Sequence, residues 1–179
     1  SIKLVPGWDF ANNDATPADD YGHGTNVASL AAAMGGNGMG VVGMCPRCRV
    51  MAVKVLDGNN YGYYSWWAEG IRFAVDQGAD VLNLSLGGTA ISDTLRAGVD
   101  YAATHGVVVI AAMMNDDNDT VYYPAAYPST IAVGATNASD ERASPFDWGG
   151  GSCYGPHIDL VAPGNAMLGI DYQSGLSSW

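Results

Sequence analysis

The run GVVVIAA, Gly106–Ala112, carries β-branched and small apolar residues at every position. A strand with one face in water alternates apolar with polar residues, so this run predicts a strand covered on both faces, as parallel sheets require. Four other stretches read as strands: RVMAVKVL (Arg49–Leu56), ADVLNLSL (Ala79–Leu86), TIAVGAT (Thr130–Thr136) and HIDLVAPG (His157–Gly164). Most are apolar on both faces. Helical spacing fills the intervals. Val27, Leu30, Ala31 and Met34 predict a helix over Gly24–Met34 stopped by Gly35-Gly36. Trp67, Ile71, Ala74 and Val75 predict a second ending near Gly78, and Ile91, Leu95, Val99 and Ala102 a third before Gly106. Strands alternating with helices predict an α/β fold: three layers, a mostly parallel sheet with helices on both faces.

The 179 residues suit one domain with a sizeable core. Eighteen acids against seven bases give a net charge of −11, which opposes binding to nucleic acid or an anionic membrane, since either needs a basic face. No apolar run reaches the length of a membrane span. The start, SIKLVPGWDF, has neither an initiating Met nor a basic leader, so any signal peptide is expected upstream.

The residues with chemistry cluster around His23, in YGHGTNVASLAAAMGG (Tyr21–Gly36). An isolated histidine at a helix start is ordinarily a solvated or hydrogen-bonded polar residue. Its neighbours say more: His-Gly-Thr-x-Val-Ala after an acidic loop resembles the histidine motif of the subtilases, the subtilisin-like serine peptidases of thermitase type. NLSLGG (Asn83–Gly88), VVVIAAMMN (Val107–Asn115), YPAAYPSTIAVGAT (Tyr123–Thr136) and DLVAPG (Asp159–Gly164) follow in the same order, so the resemblance runs through nearly the whole chain.

Spacing provides a second check. In subtilisin the catalytic histidine precedes the oxyanion-hole asparagine by about 91 residues; His23 and Asn115 are 92 apart. The same protein places its catalytic Asp about 32 residues before the His and its Ser about 157 after it. Those offsets fall about nine residues before Ser1 and one past Trp179, so the expectation is a partial peptidase domain over residues 1–179, truncated at both ends and inactive alone. SGLS (Ser174–Ser177) imitates the family's Ser-Gly-Thr-Ser, which would make Ser177 the nucleophile, but lies closer to the APG stretch than the family's spacing. Asp19 and Asp20 are too near His23 in sequence to serve as its acid without a different local fold.

The chemistry fits these residue types. An imidazole titrating near neutrality takes the proton of a serine hydroxyl and returns it to the leaving amine, the role the resemblance implies for His23. An amide N–H from Asn115 would stabilise the oxyanion of the tetrahedral intermediate. Ser85, Leu86, Gly87 and Gly88 close a predicted strand at its carboxyl end, where open α/β sheets place ligands. By resemblance they form the edge on which an extended peptide lies. Gly62 and Tyr64 would stand on the rim of that cleft, with Trp67 in a helix core. Met114 and Tyr122 stand where the family usually has small residues around the pocket for the side chain before the scissile bond. Bulk there implies preference for Ala or another small residue over Phe.

DFANNDATPADD (Asp9–Asp20) supplies Asp9, Asn12, Asp14 and the Thr16 carbonyl, hard oxygen donors of the kind calcium collects. The segment resembles the calcium loop of thermitase-like subtilases, with Ala18 a departure from it. Cys45-Pro46-Arg47-Cys48 closes a small disulfide or holds two thiols; zinc shared with Cys153 and His157 would need an unusually long gap, and a thioredoxin-like redox motif lacks its framework. GGNGMG (Gly35–Gly40) follows a helix and so fails as a nucleotide loop. The resemblance implies a secreted endopeptidase, monomeric at full length, acting on protein or peptide substrates with structural calcium. The alternative is a non-catalytic, subtilase-like peptide-binding module.

Overall fold

This computed structural model describes residues 4–173 and 175–178 of the chain. Their contacts group into two compact units, Ser1–Gly70 with Met167–Trp179, and Ile71–Ala166.

In the first unit, β1 (Leu4–Asp9) pairs in parallel with β2 (Val50–Lys54), from Leu4 opposite Val50 to Asp9 opposite Lys54. The register slips between Val5 and Trp8, where Gly7 passes so close to the Ala52 carbonyl that no side chain fits. A proline, a glycine and this slip hide β1 from any alternation rule, and sequence reasoning missed it. Helix α1 runs His23–Ala32, beginning one residue before and ending two before the expected span. Ala33 takes extended backbone (φ −59°, ψ 143°), so the helix stops ahead of the glycines. Its buried face also differs from expectation: Asn26, Ser29 and Ala32 are buried, whereas Ala31 and Met34 are exposed. The cause is an unforeseen antiparallel hairpin, β7 (Leu168–Asp171) and β8 (Gly175–Ser178). The Ile170 N–H donates to Ser29 Oγ at 2.8 Å, and Gly169 leaves room only for the Asn26 amide. Small residues on α1 let this backbone approach closely.

Helix α2 (Tyr64–Asp76) leads from the first unit's segment into the second's. There β3 (Val81–Leu84), β4 (Val108–Ala112), β5 (Ile131–Thr136) and β6 (Leu160–Pro163) form one four-stranded sheet in that order, every pairing parallel. All four lie inside the expected runs. Helix α3 (Asp93–Thr104) is capped by Ser92, whose hydroxyl accepts from the Leu95 N–H at 3.2 Å, and Leu95, Val99 and Ala102 are fully buried. Ile91, expected to start that face, lies ahead of the cap and is 71% exposed. The sheet is not covered evenly. Leu82, Val109, Ala111 and Ala132 are buried on one face, while the register aligns exposed Val81, Val108 and Leu160 on the other. Edge strand β6 is exposed throughout, against the expectation of strands covered on both sides. The class is α/β with mostly parallel strands, as expected.

Candidate active site

At the carboxyl ends of the second unit's strands lies an open cavity of about 230 Å³. Three of the expected residues, Ser85, Met114 and Asn115, line it together, with Val133, Gly134 and Gly164. The β4 strand ends at Ala112, and Met114 turns the chain with left-handed backbone (φ 72°), which carries Asn115 out of the sheet onto an exposed shoulder. The Gly151 N–H holds the Asn115 carbonyl at 3.0 Å, which fixes the backbone of this cavity-lining residue. Asn83 also lines the cavity and donates from Nδ2 to Ser85 Oγ at 2.9 Å. Sequence reasoning missed it, although residues i and i+2 of a strand share a face and Ser85 had been singled out.

The stretch Ser85–Gly88 is half-buried. Gly88 is already engaged by backbone hydrogen bonds in both directions with Tyr123, at 3.0 and 2.8 Å. Over Gly87 lie two side chains: a Cβ there would stand 2.8 Å from Met114 Sδ and 3.6 Å from Tyr122 Cβ. Both side chains pack on a core of Ala111, Met113, Ala125, Ala132 and Cys153. The Tyr122 hydroxyl donates to Asp116 Oδ2 at 2.5 Å, and this bond, with burial and the Asp116 charge, pushes the phenol up to about 12.

His23 opens α1 in the first unit. Its helix N-terminus is satisfied from outside by Asp19. One carboxylate oxygen accepts from the N–H groups of Tyr21 (3.0 Å) and Gly22 (2.7 Å), the other from the Thr25 N–H (2.7 Å) and hydroxyl (2.6 Å). Burial works to raise the Asp19 pKa, but these four bonds outweigh it and hold the carboxyl below its ordinary range. Desolvation lowers the His23 pKa below 6.5, and the Asp19 charge partly opposes that. A neutral imidazole at neutral pH is the form a general base needs.

The acidic loop is closed by a backbone bridge between Asp9 and Asp14, at 2.8 and 3.1 Å. Asp9 is buried, accepting from Asn12 N at 2.8 Å and Asn12 Nδ2 at 2.9 Å, while Asp14 Oδ1 accepts from the Thr16 N–H. Lys54 reaches in from β2, 3.7 Å from Asp9 and 3.1 Å from Asp20. The bridge encloses Asn12 between Asp9 and Asp14, whereas Thr16 lies beyond it with its carbonyl accepting from the Ala18 N–H at 2.7 Å. These oxygens are hard donors of the kind calcium takes, but among the described residues no three His, Cys, Asp or Glu side chains are gathered as for a metal ion. Lys54 already supplies one positive charge there. Tyr64 starts α2, with its ring edge-on to Trp67, which is buried as expected; Gly62 leaves no room for a side chain beside that indole.

Cys45 and Cys48 are joined in a disulfide, which removes both thiols from any zinc set with Cys153 and His157. Cys153 is a buried free thiol whose Sγ accepts from the Asp116 N–H at 3.3 Å. Ser174 and the side chain of Ser177 lie outside the described residues.

Residues 1–178 match the subtilase family. Thermitase of Thermoactinomyces vulgaris is 44% identical over 163 residues, 91% of this chain and 56% of that protein. Subtilisin of Bacillus pumilus is 44% identical over 168 residues, 91% of this chain and 58% of that one. The crystal structure of a cold adapted subtilisin-like serine proteinase superposes with a TM-score of 0.86 at 31% identity, covering 98% of this chain and 61% of that chain. The chain thus spans under two thirds of each. With the histidine motif, the strand-end glycines and the asparagine in family order, and the fold shared throughout, this chain belongs to the subtilase family.

Proposed function

We propose that the protein carrying this chain is a secreted, monomeric serine endopeptidase of the subtilisin type, and that residues 1–179 form part of its catalytic domain. The observation that supports this most is the cavity at the carboxyl ends of the sheet, which gathers Ser85, Met114 and Asn115. An extended protein segment lies along Ser85–Gly88, its carbonyl directed towards Asn115. His23, neutral at pH 7, takes the proton of the attacking serine hydroxyl and later delivers it to the leaving amine. The Asn115 amide holds the oxyanion that forms between those steps. The serine and the acid that orients His23 are expected beyond residues 1–179. Met114 and Tyr122 narrow the pocket that receives the side chain before the scissile bond. Asp9, Asn12, Asp14 and Thr16 would hold a calcium ion, which supplies loop rigidity and no chemistry.

The test is peptide hydrolysis by the whole protein. His23→Ala should lower kcat by roughly a million-fold, and Asn115→Ala by about a hundred- to a thousand-fold with KM little changed. A parent protein that binds peptides but neither cleaves them nor reacts with a fluorophosphonate would establish the non-catalytic binding module instead.

A further inference from the structure

The Cys45–Cys48 disulfide has no part in the reaction proposed for His23 and Asn115, and three features of its surroundings matter. The first is access: Pro46, Arg47 and Cys48 are exposed, and the neighbouring Met44 is 92% exposed. Charge is the second. The chain has only seven basic residues, and two of them, Arg47 and Arg49, flank Cys48 in a molecule of net charge −11. Adjacent cations attract an incoming thiolate and stabilise a departing one. Third is what the bridge restrains. The N–H groups of Gly43, Met44 and Cys45 donate to the carbonyls of Ala33, Leu30 and Ala31 at 3.0, 2.9 and 2.8 Å, so this segment caps the carboxyl end of α1. Cys48, two residues before β2, returns its N–H to the Cys45 carbonyl at 3.0 Å. The disulfide thus ties the cap of the His23 helix to the strand that follows. A bridge across only three positions closes too small a loop to staple a whole fold, so its effect is local.

We propose that Cys45–Cys48 is a thiol–disulfide exchange site for dithiol reductants, and that its reduction releases the cap on the carboxyl end of α1. A thiolate of the dithiol attacks the exposed Cys48 sulfur, the S–S bond breaks, and Cys45 leaves as a thiolate that takes a proton. The second thiol of the reagent then attacks the mixed disulfide, Cys48 leaves and is protonated, and the reagent departs as its own disulfide. Two electrons pass from the dithiol to the protein. Buried Cys153 has no disulfide to exchange and stays out of the reaction.

The test is amide hydrogen exchange of the whole protein with and without dithiothreitol, paired with alkylation of the cysteines. Reduction should add alkyl groups at Cys45 and Cys48 and accelerate exchange of the Met44 and Cys45 amides about tenfold or more, while α3 keeps its protection. The Cys45→Ser/Cys48→Ser variant should exchange fast at Met44 without reductant and show no further response. A disulfide that resists dithiothreitol in the folded protein overturns the proposal, as does complete alkylation with unchanged exchange at Met44 and Cys45. None of these readouts depends on peptidase activity, so the proposal stands or falls separately from the assignment of His23.

Discussion

A single carboxylate does two jobs at the start of α1. Asp19 accepts four hydrogen bonds from the helix's first turn and its approach, and its charge favours the protonated form of His23. The two effects separate experimentally by sign. Asp19→Asn keeps most acceptor capacity but removes the charge, so the His23 pKa falls further below 6.5 and the acid limb of kcat/KM moves to lower pH; an unmoved or raised limb refutes the electrostatic link. In the stability profile, the depressed His23 pKa means the unfolded chain binds the extra proton. Its penalty is absent above pH 6.5 and grows as pH falls towards the folded pKa. Asp19 contributes stability above its unfolded pKa, lost as acid reaches its lower folded value. Met114 poses a different residue-scale question. It holds left-handed backbone at φ 72° and lies on Gly87, so Met114→Gly relieves the backbone and empties the pocket together. The parent should cleave after Ala in preference to Phe, and the variant should shift the kcat/KM ratio towards Phe by tenfold or more. A parent that already prefers Phe, with a variant that changes nothing, defeats the pocket argument.

Among the elements, those with self-contained patterns were legible in the sequence. The run Gly106–Ala112 names its strand from composition alone, whereas Ile91, expected on the apolar face of α3, lies ahead of the Ser92 cap. What escaped were elements whose form depends on distant partners. The β7–β8 hairpin has too short a pattern to read, and without it the apolar spacing of Val27, Leu30, Ala31 and Met34 gives no sign that Asn26 and Ser29 are the residues buried on α1. Spacing and order single out Asn115 and Ser85, which line one cavity, but nothing in the sequence marks Asp116, because its bond to Tyr122 crosses a loop with no periodicity. The loop from Asp9 to Thr16 carries its own prediction. Calcium at a hundredfold excess over Kd should stabilise the whole protein by about 3 kcal/mol, read as a rise in melting temperature. Asp14→Ala should abolish the rise while leaving the calcium-free protein little changed, since Asp14 is exposed. Asp9→Ala should destabilise with or without calcium, because buried Asp9 also serves Asn12 and Lys54. A calcium response that survives in both variants places the ion elsewhere.

For the 179-residue polypeptide as a whole, solubility turns on a contest between charge and exposed sheet. Val81, Val108 and Leu160 are 54, 41 and 57% exposed and share one face of the four-stranded sheet, with half-buried Ile110, Ile131 and Val133 between them. A contiguous apolar face of this kind favours association, each Val or Leu side chain gaining up to about 1.5–3 kcal/mol on full burial. Against it stands a net charge of −11, which keeps copies apart. The two terms respond oppositely to salt. Screening shortens the reach of the charge from about 30 Å at 0.01 M to about 8 Å at 0.15 M, while apolar burial is not weakened. The polypeptide expressed alone should therefore move from monomer towards oligomer in sizing experiments as salt is raised, and should bind a hydrophobic dye. Val108→Lys with Leu160→Lys breaks the stripe without touching the buried face, so this double variant should stay monomeric at the higher salt and bind less dye. A parent polypeptide that is monomeric at both salt concentrations and binds no dye would mean that the face is covered in solution.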